Sequence, residues 1–406
     1  MNGRGLGGAA RLSAADARAA ENVASHLVVG GGLAGGLIAL ALAEAGRGAG
    51  VVLIEQDGSL GGNHTWSFHD TDLDDDQRRL VAPLVSHRWP RHMVRFPGGD
   101  RVIEAGYASI ASDDFARIVM ERLSAAGVRL LLGHKVAAVG RSMVRLDDET
   151  VWRGDAVIDA RGPERPTAQE RTGYQKFVGM ELVLRTDGPW TMPVVMDATV
   201  PQQDGYRFMY VLPFTPRRVL IEDTAYSANP VIDAEACESA VLAYAERHGA
   251  VVSGVVRRES GVLPLPLRSQ RQAGATSRRP FPLAVGYRGG FFHPVTGYSL
   301  PAAARVAGVI AKARTADEVG DGVARIAREL RPQRRFERFL NRLMFDAMPP
   351  EARWTALERF YRLPEDTIAR FYASRNTMWD RVRLFAGRPP RGVSWRRLLR
   401  SPLEES

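Results

Sequence analysis

The 406-residue chain contains a single cysteine, Cys237. An intrachain disulfide cannot form, a cysteine-based metal cluster is excluded, and a reducing compartment fits. Long apolar runs are missing as well. None approaches the roughly 20 residues that a membrane-spanning helix needs, and the apolar stretch at residues 30–43 is rich in glycine. Residues 1–24 hold Gly, Ala, Arg and Ser without the hydrophobic segment of a secretory signal, and read as a disordered leader. Lysine is absent from residues 331–400, where 17 arginines face 7 acidic residues. That difference of +10 exceeds the +9 of the whole chain, so the rest is close to neutral. Such a basic segment suits nucleic acid or anionic lipid. No nucleic-acid motif accompanies it, and its aromatic residues favour lipid.

What is present is enough apolar residue, 45%, to bury a large core. His26-Leu27-Val28-Val29 reads as a buried strand ending in glycines. Residues 37–45 read as an Ala/Leu-rich helix, and Val51-Val52-Leu53-Ile54 as a second buried strand closed by Glu55. This βαβ opening implies a parallel sheet. A helix at 113–126, strands at 128–132 and 136–139, and a core strand at 157–159 extend it. From 176 to about 223 the pattern changes to short β-like runs broken by Pro and Gly, the composition of a mainly antiparallel second sheet. Residues 235–248 read as helix, 282–285 as a short strand and 300–313 as helix; beyond about 323 the chain is helical and Arg-rich.

Gly30-Gly31-Gly32-Leu33-Ala34-Gly35 fits G-x-G-x-x-G between the first strand and helix. Gly30 permits the tight turn, Gly32 lets a pyrophosphate approach the backbone, and Gly35 lets the helix pack on the sheet. The helix N-terminus supplies unpaired N–H groups for phosphates. Glu55 stands where an acid accepts hydrogen bonds from ribose hydroxyls. Gly61-Gly62 follows at the position where many flavoproteins pass the FAD pyrophosphate. Asp159-Ala160-Arg161-Gly162 resembles the acidic, small, Arg-Gly stretch of FAD enzymes of the hydroxylase type, and marks Asp159 and Gly162 as cofactor contacts. The segment from Gly286 to Pro301 would pass the flavin and start a helix whose N–H groups favour negative charge there. Gly286, Pro294, Gly297, Tyr298 and Ser299 are its candidate contacts. Tyr287 stands where such enzymes usually carry Asp. No second stretch reads as an NAD(P) site, so NAD(P)H is expected only as an indirect reductant.

Further stretches carry a specific resemblance. Gly61-Gly62-Asn63-His64-Thr65-Trp66-Ser67-Phe68-His69, Ile221-Glu222-Asp223-Thr224-Ala225-Tyr226 and Phe292-His293-Pro294-Val295-Thr296-Gly297-Tyr298-Ser299-Leu300-Pro301 are similar to bacterial lycopene β-cyclases. So are Arg359-Phe360-Tyr361-Arg362-Leu363-Pro364 and Arg370-Phe371-Tyr372; the likeness spans about residues 25–392. It implies an α/β fold like p-hydroxybenzoate hydroxylase. An FAD-binding Rossmann-type parallel sheet would occupy 25–89, 113–172 and 261–320. An interleaved, mainly antiparallel substrate sheet would occupy 90–112 and 173–260, with a basic, membrane-facing helical region at 321–406. It further implies conversion of lycopene, through γ-carotene, to β-carotene without net redox change, on reduced FAD, by a peripheral protein at the cytoplasmic face of the membrane.

Ring closure needs an acid first, a base last and negative charge in between. Adjacent strand residues face opposite ways, so only one of Glu222 and Asp223 can face a cavity if the strand is regular. The resemblance favours Glu222 as the acid–base residue, with Asp223 as a supporting acid or salt-bridge partner. Burial in an apolar pocket would keep such a carboxyl protonated. His293 is a third catalytic candidate, with simple packing as its alternative. Trp66, Tyr206, Phe208 and Tyr210 are candidate pocket residues, the last three alternating at period two. Reduced flavin could stabilise the cation electrostatically or donate the proton; the sequence leaves both open. A redox flavoenzyme, hydroxylase or prenyl reductase, is the alternative on the same fold, and a carotenoid carrier a third. Basic amphipathic patterns at Phe336, Phe339, Leu340 and Leu343, and again at Trp354, Leu357, Phe360 and Tyr361, suit a membrane surface or domain packing.

Overall fold

The first strand begins at Val23, and its apolar residues Leu27, Val28 and Val29 are fully enclosed. In the computed structural model, which describes residues 22–163, 171–268, 282–387, 390 and 392–394, this strand is β1 (Val23–Val29). It runs through α1 (Leu33–Glu44) to β2 (Val51–Glu55), and β1 and β2 pair in parallel from His26 opposite Val51 to Val29 opposite Ile54. Val23 and Ala24 therefore belong to the sheet and not to a leader; the rest of that expected leader, 1–21, lies outside the described residues.

Helix α1 is apolar around its circumference because it is enclosed on all sides. It packs on the parallel strands and against α2 (Leu300–Lys312) and Ser112–Ala125. Each of the fully buried Leu37, Ile38, Leu40 and Leu42 contributes about 1.5–3 kcal/mol by leaving water. The close approach of helix to strand depends on Gly35, where a methyl group would lie 1.9 Å from the carbonyl oxygen of Gly30. The complete sheet runs Arg129–Leu132, β2, β1, Val151–Asp159, Met143–Leu146 and Val136–Val139. Leu283–Ala284 pairs in parallel beside Val151–Asp159.

The second sheet uses β3 (Thr172–Leu184), β4 (Tyr206–Thr215), β5 (Arg218–Ser227) and β6 (Val252–Pro266), in the order β6-β3-β5-β4. It continues into Val194–Asp197, His92–Phe96 and Gly99–Ile103, and only the contact of Val194–Asp197 with His92–Phe96 is parallel. Where the composition suggests short broken runs, the strands are long. Pro264 and Pro266 are accommodated because β6 is an edge strand. The expected boundary at 260 falls inside β6, so its last residues belong to this sheet. A three-stranded sheet, Thr65–His69, Tyr107–Ala111 and His87–Trp89, completes the β-structure.

The two faces of the second sheet have different covers. Met209, Val211, Val219 and Ile221 pack under helix Ala234–Arg247. Tyr206, Phe208, Leu220 and Tyr226 pack with side chains of the C-terminal helices. Of the two amphipathic patterns, Trp354, Leu357, Phe360 and Tyr361 pack into this cluster, the domain-packing alternative, while the pattern at 336–343 is only partly covered. In α3 (Ala316–Arg342) the buried residues of the last turns are Gln333, Arg334, Glu337, Asn341 and Arg342. Phe336, Phe339 and Leu340 are only partly covered. The polar groups are held by specific partners. Asn341 donates to the carbonyls of Pro266 and Pro294, Arg334 lies 5.0 Å above the Phe291 ring, and burial draws its guanidinium down to about 10. Arg353 donates to the carbonyls of Met344 and Tyr226, tying the helices to β5. Among the described residues no helix is long and apolar enough to cross a membrane.

Candidate active site

A continuous cavity of about 790 Å³ begins at the glycine turn after β1 and ends on the face of β4 and β5. At its first end Gly30 takes φ +100°, and a side chain at Gly32 would meet no protein atom within 4 Å. Helix α1 starts at Gly32 with no side-chain cap and no acid in its first turn. Its leading N–H groups and partial positive charge are left to an anionic ligand. Glu55 accepts from the Gly31 and Asp57 N–H groups at 2.5 and 3.0 Å, which fixes its carboxylate at the cavity edge. Gly61 and Gly62 are both left-handed, at φ +83° and +68°, and both line the cavity.

Gly162, Gly286, Gly297, Tyr298 and Ser299 also line it. Ser299 opens α2, a second helix with no side-chain cap and no acid in its first turn. Tyr287, in the place of the missing acid, donates to the carbonyl of Gly297 and so closes this loop. Three expected contacts lie behind the lining. Asp159 is held by Arg161, with distances of 2.8 and 2.7 Å, and by Arg288 at 3.4 Å; Arg161 and Arg288 line the cavity and Asp159 does not. Gly35 serves the helix–strand contact, and Pro294 serves as an acceptor for Asn341.

At the far end, the pairing of β4 with β5 sets Tyr210 opposite Glu222, Phe208 opposite Thr224 and Tyr206 opposite Tyr226. Phe208, Tyr210, Glu222, Thr224 and Tyr226 all line the cavity, with Trp66, Tyr107 and Tyr372 facing them. Trp66 rests edge-on against Phe115 at 5.1 Å. Tyr206, expected in the lining, is fully buried behind it, stacked on Phe208 at 5.1 Å. Tyr210 donates to Ser67 at 2.7 Å and meets the Tyr107 hydroxyl at 2.9 Å. Burial raises the pKa of both phenols, so they stay neutral donors.

Glu222 is buried in this aromatic end, 8% exposed. Its carboxyl is pushed well above the usual range by burial first, then by hydrogen bonding to Glu259 and by that group's charge; Arg257 opposes the rise. Glu259 enters through the sheet register. Gly179 of β3 stands opposite Glu222 on one side and Glu259 on the other. A methyl group at Gly179 would meet the two Cγ atoms at 2.7 and 3.0 Å, so the glycine lets the carboxyl side chains converge. Glu259 Oε2 accepts from Thr65 Oγ1 at 3.0 Å and Arg257 Nη1 at 2.5 Å.

Asp223 is not with them. Strand alternation turns it to the opposite face, where Arg207 grips both its oxygens at 2.8 and 2.7 Å. It is a salt-bridge acid and is corrected as a catalytic candidate. His293 is corrected likewise. Its Nδ1 accepts from the Val295 N–H at 3.2 Å, so Nε2 carries the proton toward the Phe371 carbonyl at 3.1 Å and Glu337 at 3.3 Å. It is a buried strut between the 293–299 loop and the C-terminal helices and does not line the cavity. Glu259 and Tyr107 were not singled out in sequence, and Ser67, Tyr226 and Tyr372 stood only within the stretches that carry the resemblance, without a role of their own. Glu259 stands in Arg257-Arg258-Glu259-Ser260, which reads as an ordinary charged edge strand until its register is known.

A family model described as lycopene cyclase protein matches residues 26–398. The lycopene beta-cyclase of Pantoea ananas is 42% identical over 367 residues, 90% of this chain and 94% of that protein. That of Pseudescherichia vulneris is 41% identical, covering 92% and 96%. That of Paracoccus sp. is 40% identical, covering 90% and 94%. Among solved structures, a geranylgeranyl bacteriochlorophyll reductase-like protein of Thermoplasma acidophilum aligns with TM-score 0.55 at 15% identity, over 90% of this chain and 96% of that one. The flavin-dependent brominase Bmp2 aligns with TM-score 0.55 at 14% identity, over 87% and 94%. These two show the fold.

The placement of Asp223 generates a direct expectation. Asp223→Asn should lower stability by about 3 kcal/mol, the low end of what breaking a buried pair costs, measured by urea unfolding at neutral pH. A loss under about 1 kcal/mol, the range of a solvent-screened pair, would show that Arg207 does not depend on it.

Proposed function

The chain belongs to the lycopene cyclase family, and from that premise we propose that it closes the acyclic ends of lycopene to β-rings, through γ-carotene to β-carotene, by acid–base chemistry on bound FAD. The observation that carries this reading is Glu222, buried at the aromatic end of a cavity whose other end is a dinucleotide cradle, where burial pushes its carboxyl well above the usual range. The bacterial relatives of about 40% identity support the substrate and ring type.

The residues present fit FAD. Gly32 leaves open space where any side chain would intrude, two uncapped helix starts face one cleft, and Glu55 is fixed at the ribose end. Gly30, Gly32, Gly61 and Gly62 would hold the pyrophosphate, and Gly286, Gly297 and Ser299 the flavin side. Bound in reduced form, the cofactor supplies negative charge beside a cation. The sequence carries one dinucleotide fingerprint, so we infer that NAD(P)H reduces it only indirectly.

Glu222 delivers its proton to the terminal alkene, and the resulting tertiary cation is attacked by the neighbouring double bond. The electron-rich faces of Phe208, Tyr210 and Tyr226 stabilise positive charge, and their burial keeps out the water that would trap it. A ring proton then leaves to the Glu222 carboxylate, so the enzyme returns to its starting state. Substrate and product are isomers, which makes the reaction an intramolecular lyase or isomerase step. An aromatic hydroxylase needs no carboxylic acid at this position, and the relatives of about 40% identity favour the cyclase over a prenyl reductase.

A membrane-dissolved polyene calls for a lipid-facing surface. In α4 (Met378–Phe385), Met378, Trp379, Val382 and Phe385 are exposed at 71%, 74%, 53% and 38%. Arg375, Arg381 and Arg383 flank them. Apolar groups rimmed by cations suit an anionic bilayer surface, and we place the protein peripherally on the cytoplasmic face. Tyr372, just before α4, lines the cavity, so docking and entry would share one stretch of chain.

Expression in a lycopene-accumulating bacterium should yield an isomer of unchanged mass with the β-carotene spectrum. Glu222→Gln should keep stoichiometric flavin yet lose at least about 100-fold in ring closure, the scale of a general acid. A purified protein without flavin absorbance, or a Glu222→Gln variant of normal rate, would count against the assignment. For the surface, Trp379→Glu combined with Phe385→Glu should release the protein from sedimenting anionic phospholipid vesicles. Unchanged sedimentation would remove α4 as the docking element.

A further inference from the structure

Beyond the acid itself, we propose that Glu259 is a positioning residue that keeps the proton on Glu222, the two carboxyls sharing one proton across Gly179. The inference deepens the functional reading above and rests on it for its role in the reaction, although the meeting of the two side chains over Gly179 stands on geometry.

One carboxyl oxygen of Glu259 is an unmet acceptor. Glu259 is 2% exposed. Its Oε2 has two donors, Thr65 and Arg257, while Oε1 is buried without any conventional donor. A buried carboxylate oxygen without a donor costs several kcal/mol of lost solvation, on the order of what an unpaired buried polar group forfeits. The neighbour brought in by the register is the Glu222 carboxyl, set beside it over Gly179, which a side chain would fill. A carboxylate cannot supply that hydrogen bond; a carboxylic acid can. Of the two, Glu259 is the one to be ionised, because Arg257 and Thr65 both bond to it. Glu222 is the one to be protonated, because its other surroundings are apolar or phenolic. Burial and the adjacent negative charge both push the Glu222 carboxyl up, in keeping with this split.

The charged and titratable groups around Glu222 are few. Across the sheet are Glu259 and Arg257, with His64 near both and its imidazole drawn down by burial; beside it are Tyr226 and Tyr210, the latter bonded to Tyr107; Arg207 and Asp223 neutralise one another on the opposite face. Arg257 is itself shared with Glu181, Asn63 and Thr65, which holds it in place. In the resting state the pair carries one proton and one negative charge. Donation breaks the Glu222 O–H bond, forms a C–H bond at the terminal alkene and leaves two carboxylates opposite the new cation. When the ring C–H bond breaks, its electrons form the ring double bond and its proton returns to Glu222. Atoms and charge balance with no outside oxidant, reductant or proton.

The test is an infrared pH titration of the flavin-loaded protein. The C=O stretch of a protonated carboxyl is followed and assigned to Glu222 by its loss in Glu222→Gln. The inference expects this band at neutral pH in the wild type. In Glu259→Gln the neighbouring charge is gone, and the band should disappear at a pH about 1–3 units lower. The basic limb of the ring-closure rate, which falls as the acid loses its proton, should move down with it. An unmoved titration in a variant of normal flavin content and melting overturns the proposal. If Glu259→Gln does not fold, the wild type still decides: no Glu222 band at neutral pH overturns the proposal, and a band there supports it. A band that shifts as expected in a protein that closes no rings leaves the carboxyl pair standing and removes the functional reading instead.

Discussion

The proposed chemistry depends on a carboxyl group that stays protonated at the buried, aromatic end of the cavity. Burial alone penalises ionisation, but an isolated acid in an apolar pocket would also lack a partner for its own hydrogen. The sheet meets both needs by pairing Glu222 with Glu259 across Gly179. A single glycine in β3 makes the room, and Arg257 with Thr65 fixes which of the two carries charge. The arrangement requires three neighbouring strands in one register. A slip of one residue would turn Glu222 to the opposite face and bring Asp223, with its arginine requirement, into the cavity.

The same register brings the aromatic residues into place. Phe208, Tyr210 and Tyr226 share the face of Glu222 because β4 and β5 pair Tyr210 with Glu222 and Tyr206 with Tyr226. The opposite face, covered by Ala234–Arg247, holds the Arg207–Asp223 pair. The parallel sheet contributes a different service, an anion cradle built from backbone. Glycine is needed there because side chains must be absent at Gly32 and left-handed turns present at Gly30, Gly61 and Gly62. The loop from His293 to Ser299 joins the two regions. His293 anchors it to Phe371 and Glu337, and Asn341 anchors it through Pro294. The cavity is thus a joint product of two sheets and the C-terminal helices.

How much of this could be read in the chain follows from whether a feature is local. The turn at Gly30–Gly35, its flanking strands and Glu55 are contiguous, so their periodicity and spacing were legible. The choice between Glu222 and Asp223 was legible as a rule of strand alternation, with the resemblance supplying the side. Glu259 was not, because its meaning lies in pairing between β3 and β6, whose register no local pattern fixes. His293 stood in a specific motif beside cofactor contacts, yet its role is that of a strut; sequence proximity to a ligand does not say which way a ring points. The C-terminal helix left membrane surface and packing open for a related reason. Phe336, Phe339 and Leu340 have helical spacing and would ordinarily be core, but Arg334, Glu337 and Asn341 have partners specific enough to bury instead. The exposed apolar face appears later, on α4.

The central claim is that ring closure runs on an exchangeable proton and no net electron transfer. The most direct measurement is one round of reaction by the purified, flavin-reduced protein on lycopene in deuterium oxide, with the product read by mass spectrometry. The account predicts that each ring closed exchanges one hydrogen for one deuterium, the deuterium on the carbon that receives the acid's proton and the hydrogen lost as the ring proton, with no other change in composition. A cyclic product without deuterium, or one that has gained oxygen or a pair of hydrogens, would contradict it.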